Sequence, residues 1–123
     1  MDKIWLKNYP PGVPHEVDPT QYRSAAHLLE EAMQKHAASP FSVCMERWMS
    51  YGELERHSAA LGAWLQGQGL EPGARVAIML PNVPQFAVSM AAVLRAGYAC
   101  VNVNPLYTAR ELEHQLKDSG ATA

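Results

Sequence analysis

The clearest candidates for chemistry stand near the end of the sequence, in NPLYTARELEHQL, residues 104–116. Tyr107 and Thr108 follow an Asn-Pro break there, and a hydroxyl on such a loop could act as a nucleophile or contact a ligand. Thr108 also has Glu111 three residues later, which is the spacing of a helix capping box. The sequence therefore favours a structural function for this hydroxyl over a chemical one.

Other reactive groups are dispersed along the chain. Ser50 precedes Glu53 in capping-box spacing and lies in no Gly-x-Ser-x-Gly motif, so we predict a helix cap and not a nucleophile. Cys44 and Cys100 stand in apolar runs without a basic neighbour that would favour the thiolate. They are typical of buried free thiols in a reducing compartment, and we expect a cytoplasmic protein.

Histidine and carboxylate pairs occur at helical spacing. His27 precedes Glu31 by four residues, and Glu53 precedes His57 by four. Each pair could place two metal ligands on one helix face, but neither has a third candidate ligand nearby in the sequence. We interpret both as solvated helix pairs and predict no metal-binding residue.

Three glycines, Gly67, Gly69 and Gly73, suggest a phosphate-binding loop at first. Such a loop must follow a strand and open a helix, so that the helix N-terminus faces the phosphate. Here the glycines close a predicted helix and lead into a predicted strand. We predict a helix C-cap and a turn, and no cofactor-binding residue.

Charge and hydropathy narrow the class of protein further. The formal net charge is −2, and the ten Lys and Arg are scattered without a run or a helical stripe. This distribution provides no basic patch that could bind the phosphate backbone of a nucleic acid, so we expect no nucleic-acid partner. The most apolar region, residues 86–94, is much shorter than the ~20 residues that a membrane-spanning helix requires. The N-terminal segment has no apolar run suited to a signal peptide.

The chain divides into a proline-rich arm, residues 1–23, and an incomplete α/β subdomain, residues 24–123. The arm holds four prolines, which favour extended backbone. Its apolar residues suggest docking on its own domain, on a missing domain or on a partner chain, and the sequence leaves this choice open. The apolar residues of the arm are Ile4, Trp5, Leu6, Tyr9 and Tyr22.

Periodicity predicts the elements that position these residues. We expect helices over 24–38, 51–68, 84–96 and 109–117, and strands over 41–45, 48–50, 75–80 and 98–103, with a further strand beginning at 121–123. The predicted details are an apolar face of Ala25, Leu28, Leu29, Ala32 and Met33 on the first helix, and one of Leu54, Leu61, Trp64 and Leu65 on the second. We also predict a hairpin turn at Glu46 and Arg47. A capping box of Asn82 and Gln85 should precede a third helix that is buried. Two hydrophobic staples are predicted, one of Met49 with Leu54 and one of Tyr107 with Leu112.

A short hairpin followed by strand, helix, strand and helix predicts an α/β fold with right-handed parallel connections. An unfinished sheet edge and an apolar arm would also suit a stand-alone interaction module that self-associates. A flavodoxin-like nucleotide binder is a third hypothesis. It needs a ligand loop after a strand, and the two available loops, 81–84 and 104–107, are not glycine-rich.

Several stretches resemble the adenylate-forming enzymes. Ser50-Tyr51-x-Glu53-Leu54 and the LRAG segment at 94–97 are similar to segments shared across that superfamily. WLKNYPPGVPHEVD at 5–18 and NPLYTARELEHQLKDSGA at 104–121 resemble, more narrowly, the bacterial long-chain fatty-acid–CoA ligases.

The resemblance implies the N-terminal part of a ligase large domain, with parallel βαβα layers, a short hairpin and helices packed on the sheet. It implies a parent enzyme that uses ATP, Mg2+, coenzyme A and a fatty acid, and that is cytoplasmic with peripheral contact at the inner membrane. The family's phosphate loop, hinge and catalytic lysine would lie beyond residue 123. We therefore assign no catalytic residue here. We expect the 123-residue chain to be inactive and to need the remainder of the ligase chain. We also expect a homodimer that forms through the arm or the open sheet edge.

Overall fold

The computed structural model describes residues 2–123, which form an α/β structure as predicted. The elements in chain order are a 3-10 helix at Ile4–Asn8, α1 at Ala25–Lys35, β1 at Pro40–Cys44, β2 at Arg47–Ser50, α2 at Tyr51–Gln66, β3 at Arg75–Ile78, α3 at Pro84–Arg95, β4 at Ala99–Asn102 and α4 at Ala109–Ser119. The 3-10 helix is a correction to the extended arm that the prolines suggested. Among the described residues, no helix combines the length and the apolar character that crossing a membrane demands.

The strands form two small sheets. β1 and β2 pair antiparallel in the predicted hairpin, and β3 and β4 pair parallel, in register from Arg75 opposite Ala99 to Ile78 opposite Asn102. The connection between β3 and β4 is α3, so these elements form the βαβ unit that the sequence predicts.

The last residues of the chain hydrogen-bond to β3 of the parallel sheet. The Thr122 N–H donates to the Arg75 carbonyl at 2.9 Å, and the Ala77 N–H donates to the Ala123 carbonyl at 2.7 Å. In a strand, successive backbone groups face opposite edges, and β4 bonds to the carbonyls of Ala74 and Ile78. Residues 122–123 therefore lie along the edge of β3 that β4 leaves free, but they form no strand, so the strand predicted to begin there stays a prediction.

The core consists of two apolar clusters that meet at α3. One lies against β3 and β4 and the other lies among α1, α2 and the hairpin. The first contains Leu65, Val76, Ile78, Val93 and Tyr98, and the second contains Met33, Met49, Leu54 and Ala91. Ala91 and Val93 are two residues apart on α3, so this helix joins the clusters. The prediction of a buried third helix is confirmed over Ala91, Ala92 and Val93.

α2 packs very closely on α3. A Cβ atom placed on Gly62 would lie 3.2 Å from the Ala92 carbonyl oxygen and 3.8 Å from the Ala96 Cβ. Gly62 and Ser58 are both buried on the inner face of α2. Small residues are therefore required where the two helices touch.

Two predicted helix faces are partly wrong. Trp64 was expected inside, but 59 % of its surface is exposed, because the inner stripe of α2 runs through the small residues Ser58 and Gly62. Leu28 of α1 is 43 % exposed, whereas Met33 on the same helix is fully buried. The apolar pattern identified both helices, and the tight helix contact selected which apolar residues enter the core.

The predicted cap of α3 is also wrong. Asn82 and Gln85 do not form a capping box there, since the N-cap residue is Val83 and no side chain caps this helix. Pro84 occupies the first turn of α3. The first backbone N–H groups of a helix lack partners within the helix, and a side-chain cap normally accepts from them. Proline has no backbone N–H, so the start of α3 has one such donor fewer.

The hairpin turn is one residue earlier than predicted. Met45 and Glu46 have φ of 47° and 63°, and Arg47 already belongs to β2. Two consecutive positive φ values are typical of a type I′ turn, whose twist matches that of the flanking strands. Such turns prefer Asn-Gly, and side chains with a Cβ are strained at these angles.

Replacing Met45 with Asn and Glu46 with Gly should therefore stabilise the chain by about 1–2 kcal/mol, because both residues then suit positive φ. The measurement is the urea midpoint of unfolding. Glu46→Gln is the matched control, since it removes the charge and keeps the strained backbone, and it should shift stability by less than about 0.5 kcal/mol. An unchanged midpoint in the double variant would show that the turn is not strained.

Candidate functional site

In a parallel α/β sheet, ligands bind beyond the carboxyl ends of the strands, so the loops after β3 and β4 define the first candidate site. The loop after β4 carries residues 104–107. The Asn104 side-chain oxygen accepts the Leu106 N–H at 3.0 Å, and the Tyr107 N–H donates to the Asn104 carbonyl at 3.1 Å. These bonds form a local turn that leads into α4 and leaves Leu106 86 % exposed.

The Thr108 hydroxyl at this edge is engaged in a capping box. Its oxygen lies 2.7 Å from Glu111 Oε2 and accepts the Glu111 N–H at 3.4 Å, while the Thr108 N–H donates to the same carboxylate at 2.8 Å. The hydrogen bond from the Thr108 hydroxyl, followed by that from its N–H, lowers the pKa of Glu111 below its usual value. A carboxylate made less basic in this way is a poor base for activating a hydroxyl. The structural interpretation of Thr108 is confirmed.

Ser50 has the same arrangement at the start of α2. Its N–H and hydroxyl reach Glu53 Oε2 at 2.8 and 3.0 Å, and its oxygen accepts the Glu53 N–H at 3.2 Å. The bond from the Ser50 N–H, followed by that from its hydroxyl, lowers the pKa of Glu53. Met49 and Leu54 belong to one buried cluster, as the predicted staple requires. Ser50 is therefore a helix cap.

The glycine-rich turn lies at the opposite edge of the sheet. Gly67 is the C-cap of α2, and Gly69 and Gly73 have positive φ in the turn that leads to the amino end of β3. This confirms the predicted helix end and turn. The loop does not face a helix N-terminus, which is the geometry that a phosphate cradle requires.

The remaining candidates are separate from one another. The ring of His27 packs edge-on against Tyr22, and its Nδ1 accepts the Arg23 N–H at 3.3 Å. Within residues 2–123, no three His, Cys, Asp or Glu side chains are placed to hold a metal ion. Both cysteines are free thiols, and burial raises the pKa of Cys100.

A polar cluster that the sequence did not reveal joins three helices. The Arg95 guanidinium of α3 donates to Ser58 Oγ at 2.7 Å, to the Glu55 carbonyl at 3.0 Å and to Glu30 Oε1 at 3.4 Å. The Arg95 side chain is 18 % exposed, and Ser58 is fully buried. A serine in the middle of an otherwise apolar helix face was the available signal. The cluster cross-links α1, α2 and α3.

The second candidate site is the α2–α3 groove, an apolar depression of about 480 Å³. One wall is the outer face of α2 and the other is the first turn of α3, with Met49 at the end of β2 between them. The groove is lined by Met49, His57, Ala60, Leu61, Pro84, Gln85 and Val88. Depressions of this size and lining are typical of sites for small apolar ligands.

Comparisons with known proteins identify a family. Residues 29–123 match the family described as AMP-binding enzyme. The long-chain-fatty-acid–CoA ligase of Yersinia pestis is 51 % identical over the whole of this chain, and that of Bacillus subtilis is 37 % identical over 95 % of it. The chain spans about 22 % of the length of the Yersinia relative and 21 % of the Bacillus one.

Solved structures agree with these relatives. The N-terminal subdomain of Klebsiella oxytoca NpsA, in complex with 3-hydroxybenzoyl-AMSN, matches 88 % of this chain with a TM-score of 0.78 and 27 % identity. The match covers 27 % of that chain. VinN in complex with 3-methylaspartate matches 78 % of this chain with a TM-score of 0.74.

The Arg95 cluster leads to a stability prediction. Arg95→Met removes the donors to Ser58 and to the Glu55 carbonyl, and a hydrogen bond from a charged group contributes about 1.5–3 kcal/mol. We expect a loss of about 2 kcal/mol in the free energy of unfolding, measured by urea denaturation.

Glu30→Gln is the matched control for Arg95→Met. Glu30 is 46 % exposed, and glutamine keeps an acceptor, so the loss should stay below about 1 kcal/mol. Equal losses in the two variants would mean that the ion pair, and not the bonds to α2, holds the helices together.

Proposed function

The chain belongs to the AMP-binding enzyme family, and from this premise we propose that it forms the N-terminal part of the large domain of a long-chain fatty-acid–CoA ligase. The observation that carries the proposal is identity of 44–51 % to six such bacterial enzymes over the whole chain. The family as a whole matches residues 29–123, whereas these ligases match the proline-rich arm too. Triostin synthetase I is 38 % identical over 82 % of the chain, so it matches less of the chain at lower identity than these ligases do.

The proposed reaction of the parent enzyme has two steps. The fatty-acid carboxylate attacks the α-phosphorus of ATP and releases pyrophosphate, which gives an acyl-adenylate. The thiol of coenzyme A, deprotonated on attack, then displaces AMP from the acyl carbon and forms the thioester. Activation is needed because a carboxylate is a poor acyl donor and a mixed anhydride is a good one, and Mg2+ would neutralise the charge on the phosphates.

The described residues do not fit the binding of ATP or Mg2+. The hydroxyls of Ser50 and Thr108 are engaged as caps, and the glycine-rich turn is at the amino edge of the sheet. No metal-ligating cluster occurs in residues 2–123. We therefore assign no step of the reaction to this chain, and its contribution to the parent is the framework of the sheet and its covering helices.

The comparisons do not support a stand-alone interaction module, since the relatives that match the whole chain are ligases of which it spans about 22 %. We keep the division into an arm, 1–23, and a subdomain, 24–123, as part of the proposal. The remainder of the ligase chain is the first proposed partner, and fatty acid and coenzyme A are the proposed substrates of the parent.

We propose that the chain alone forms a homodimer through its arm or the open edge of its sheet. Apolar side chains of the arm are exposed, among them Ile4, Trp5 and Val17. β4 pairs with β3 on one side, and an unpaired strand edge favours association. Light scattering after size exclusion should give twice the monomer mass, and a monomer at high concentration would contradict the proposal.

For the parent we propose a cytoplasmic location with peripheral contact at the inner membrane. The support is the resemblance to the bacterial ligases and the two free thiols. Cell fractionation checks this proposal, and recovery of the parent from the periplasm would contradict it.

If the catalytic residues lie in the remainder of the parent, as we propose, residues 1–123 alone should not catalyse the reaction. ATP–pyrophosphate exchange with palmitate should equal the protein-free background for this chain, because the proposal places the ATP and Mg2+ sites in the remainder of the parent. The full-length parent should show exchange that depends on palmitate. Exchange by the 123-residue chain would refute the first expectation, and a parent that activates no fatty acid would refute the proposed function.

A further inference from the structure

β3 is paired along only part of its second edge. β4 pairs with the first edge from Arg75 to Ile78. On the second edge, residues 122–123 bond to the backbone of Arg75 and Ala77. Alternate residues of a strand present their backbone groups to the same edge, so Met79 faces the same side as Arg75 and Ala77. Among residues 2–123, no backbone carbonyl accepts from the Met79 N–H, so the carboxyl end of this edge is unpaired.

A cavity of about 200 Å³ borders the same strand. Its walls are Leu61 and Leu65 of α2, Ser89 and Val93 of α3, and residues 76–80. Its lining is mostly carbon, and no residue of β4 contributes to it, so the cavity lies on the side of β3 that β4 leaves free. A strand placed on that edge could therefore insert an apolar side chain between the sheet and the two helices.

The backbone of residues 122–123 is directed towards this unpaired region. Thr122 bonds to Arg75 and Ala123 bonds to Ala77, so the two segments run parallel. At a rise of ~3.3 Å per residue, about three further residues in the same direction would reach the level of Leu80. Side chains alternate between the two faces of a strand, so such a segment would direct at least one side chain to the face that α2 and α3 cover.

The relatives are long enough to supply a segment for this position. This chain spans about 22 % of the length of the Yersinia pestis ligase. A segment joined directly to Ala123 is already held at the edge, so it loses less entropy on docking than a separate molecule does. A second copy of the chain would have to pass residues 122–123, which already occupy the first half of this edge. These observations favour an adjoining segment of the same chain over a second copy.

We propose that the carboxyl end of the second β3 edge, with the adjoining cavity, is a docking site for the segment that follows Ala123 in the parent. This segment adds a strand parallel to β3 and places an apolar side chain against Leu61 and Val93. β3 then becomes a central strand, with β4 on its other side. The identity of the occupant rests on the proposed function, and the location rests on the backbone bonds and the cavity.

Amide hydrogen exchange tests the pairing at the edge. One protein is the 123-residue chain extended by the next residues of the parent, about ten, which is the upper length of common strands. The control carries a Gly-Ser extension of the same length. The Met79 amide should exchange about ten-fold more slowly, or slower still, in the first protein than in the control. Equal exchange in the two would overturn the proposal, and so would Met79 protection in the unextended chain that rises with protein concentration, since a second copy would then occupy the edge.

Two substitutions on α3 test the cavity against the α2–α3 groove. Ser89 lines the cavity and Gln85, one turn earlier, lines the groove. In the extended chain, Ser89→Leu fills the cavity and should remove most of the added Met79 protection, whereas Gln85→Leu should leave it within about two-fold. Equal effects of the two substitutions would overturn the proposed location. Dispersed amide spectra verify that each variant is folded.

Methyl resonances provide a measurement that needs no substitution. The parent extension should shift the methyl groups of Leu61 and Val93 relative to the Gly-Ser control, because both line the cavity. The methyl group of Ala60, which lines the groove and not the cavity, should not shift. A shift of Ala60 without shifts of Leu61 and Val93 would contradict the proposed location.

The full-length parent separates this inference from the proposed function. Exchange of the Met79 amide and formation of acyl-CoA are measured on the same preparation. An active ligase whose Met79 amide exchanges as fast as that of the 123-residue chain would overturn this inference alone. A parent that protects the Met79 amide and forms no acyl-CoA would overturn the proposed function alone.

Discussion

The close contact between α2 and α3 is the constraint on which the rest of the structure depends. At Gly62 the helices approach so closely that even a methyl group would press on the Ala92 carbonyl. This approach buries Ser58 against Arg95 and places Ala91 and Val93 in different clusters of the core. As a result, α3 packs against the hairpin and α1 on one side and against the parallel sheet on the other.

Polar groups in this chain mainly serve the packing. The hydroxyls of Ser50 and Thr108 orient the starts of α2 and α4, and Arg95 satisfies a carbonyl and a hydroxyl that the helix contact removes from water. A largely buried polar network whose groups find partners rigidifies the packing around it. This explains why, among the described residues, the hydroxyls of Ser50 and Thr108 and the Arg95 guanidinium are engaged in packing.

The sequence predicted what depends on neighbours along the chain. The capping boxes at Ser50 and Thr108, the hairpin and the βαβ unit follow from patterns of neighbouring residues. It could not predict what depends on the tertiary contact. Trp64 is exposed because glycine and serine occupy the contact, Arg95 binds partners 37 to 65 residues away, and Met45 accepts positive φ because the strands require that turn. The groove was also missed, since its two walls come from different helices.

The α2–α3 contact unites both sheets in one cooperative unit, which would serve the proposed parent as a framework. Backbone amide hydrogen exchange in Gly62→Val tests it most directly, because exchange reports the opening free energy of each strand. Protection in the β1–β2 hairpin and in β3–β4 should fall by the same factor relative to the unsubstituted chain. Loss of protection in one sheet, with the other unchanged, would contradict it.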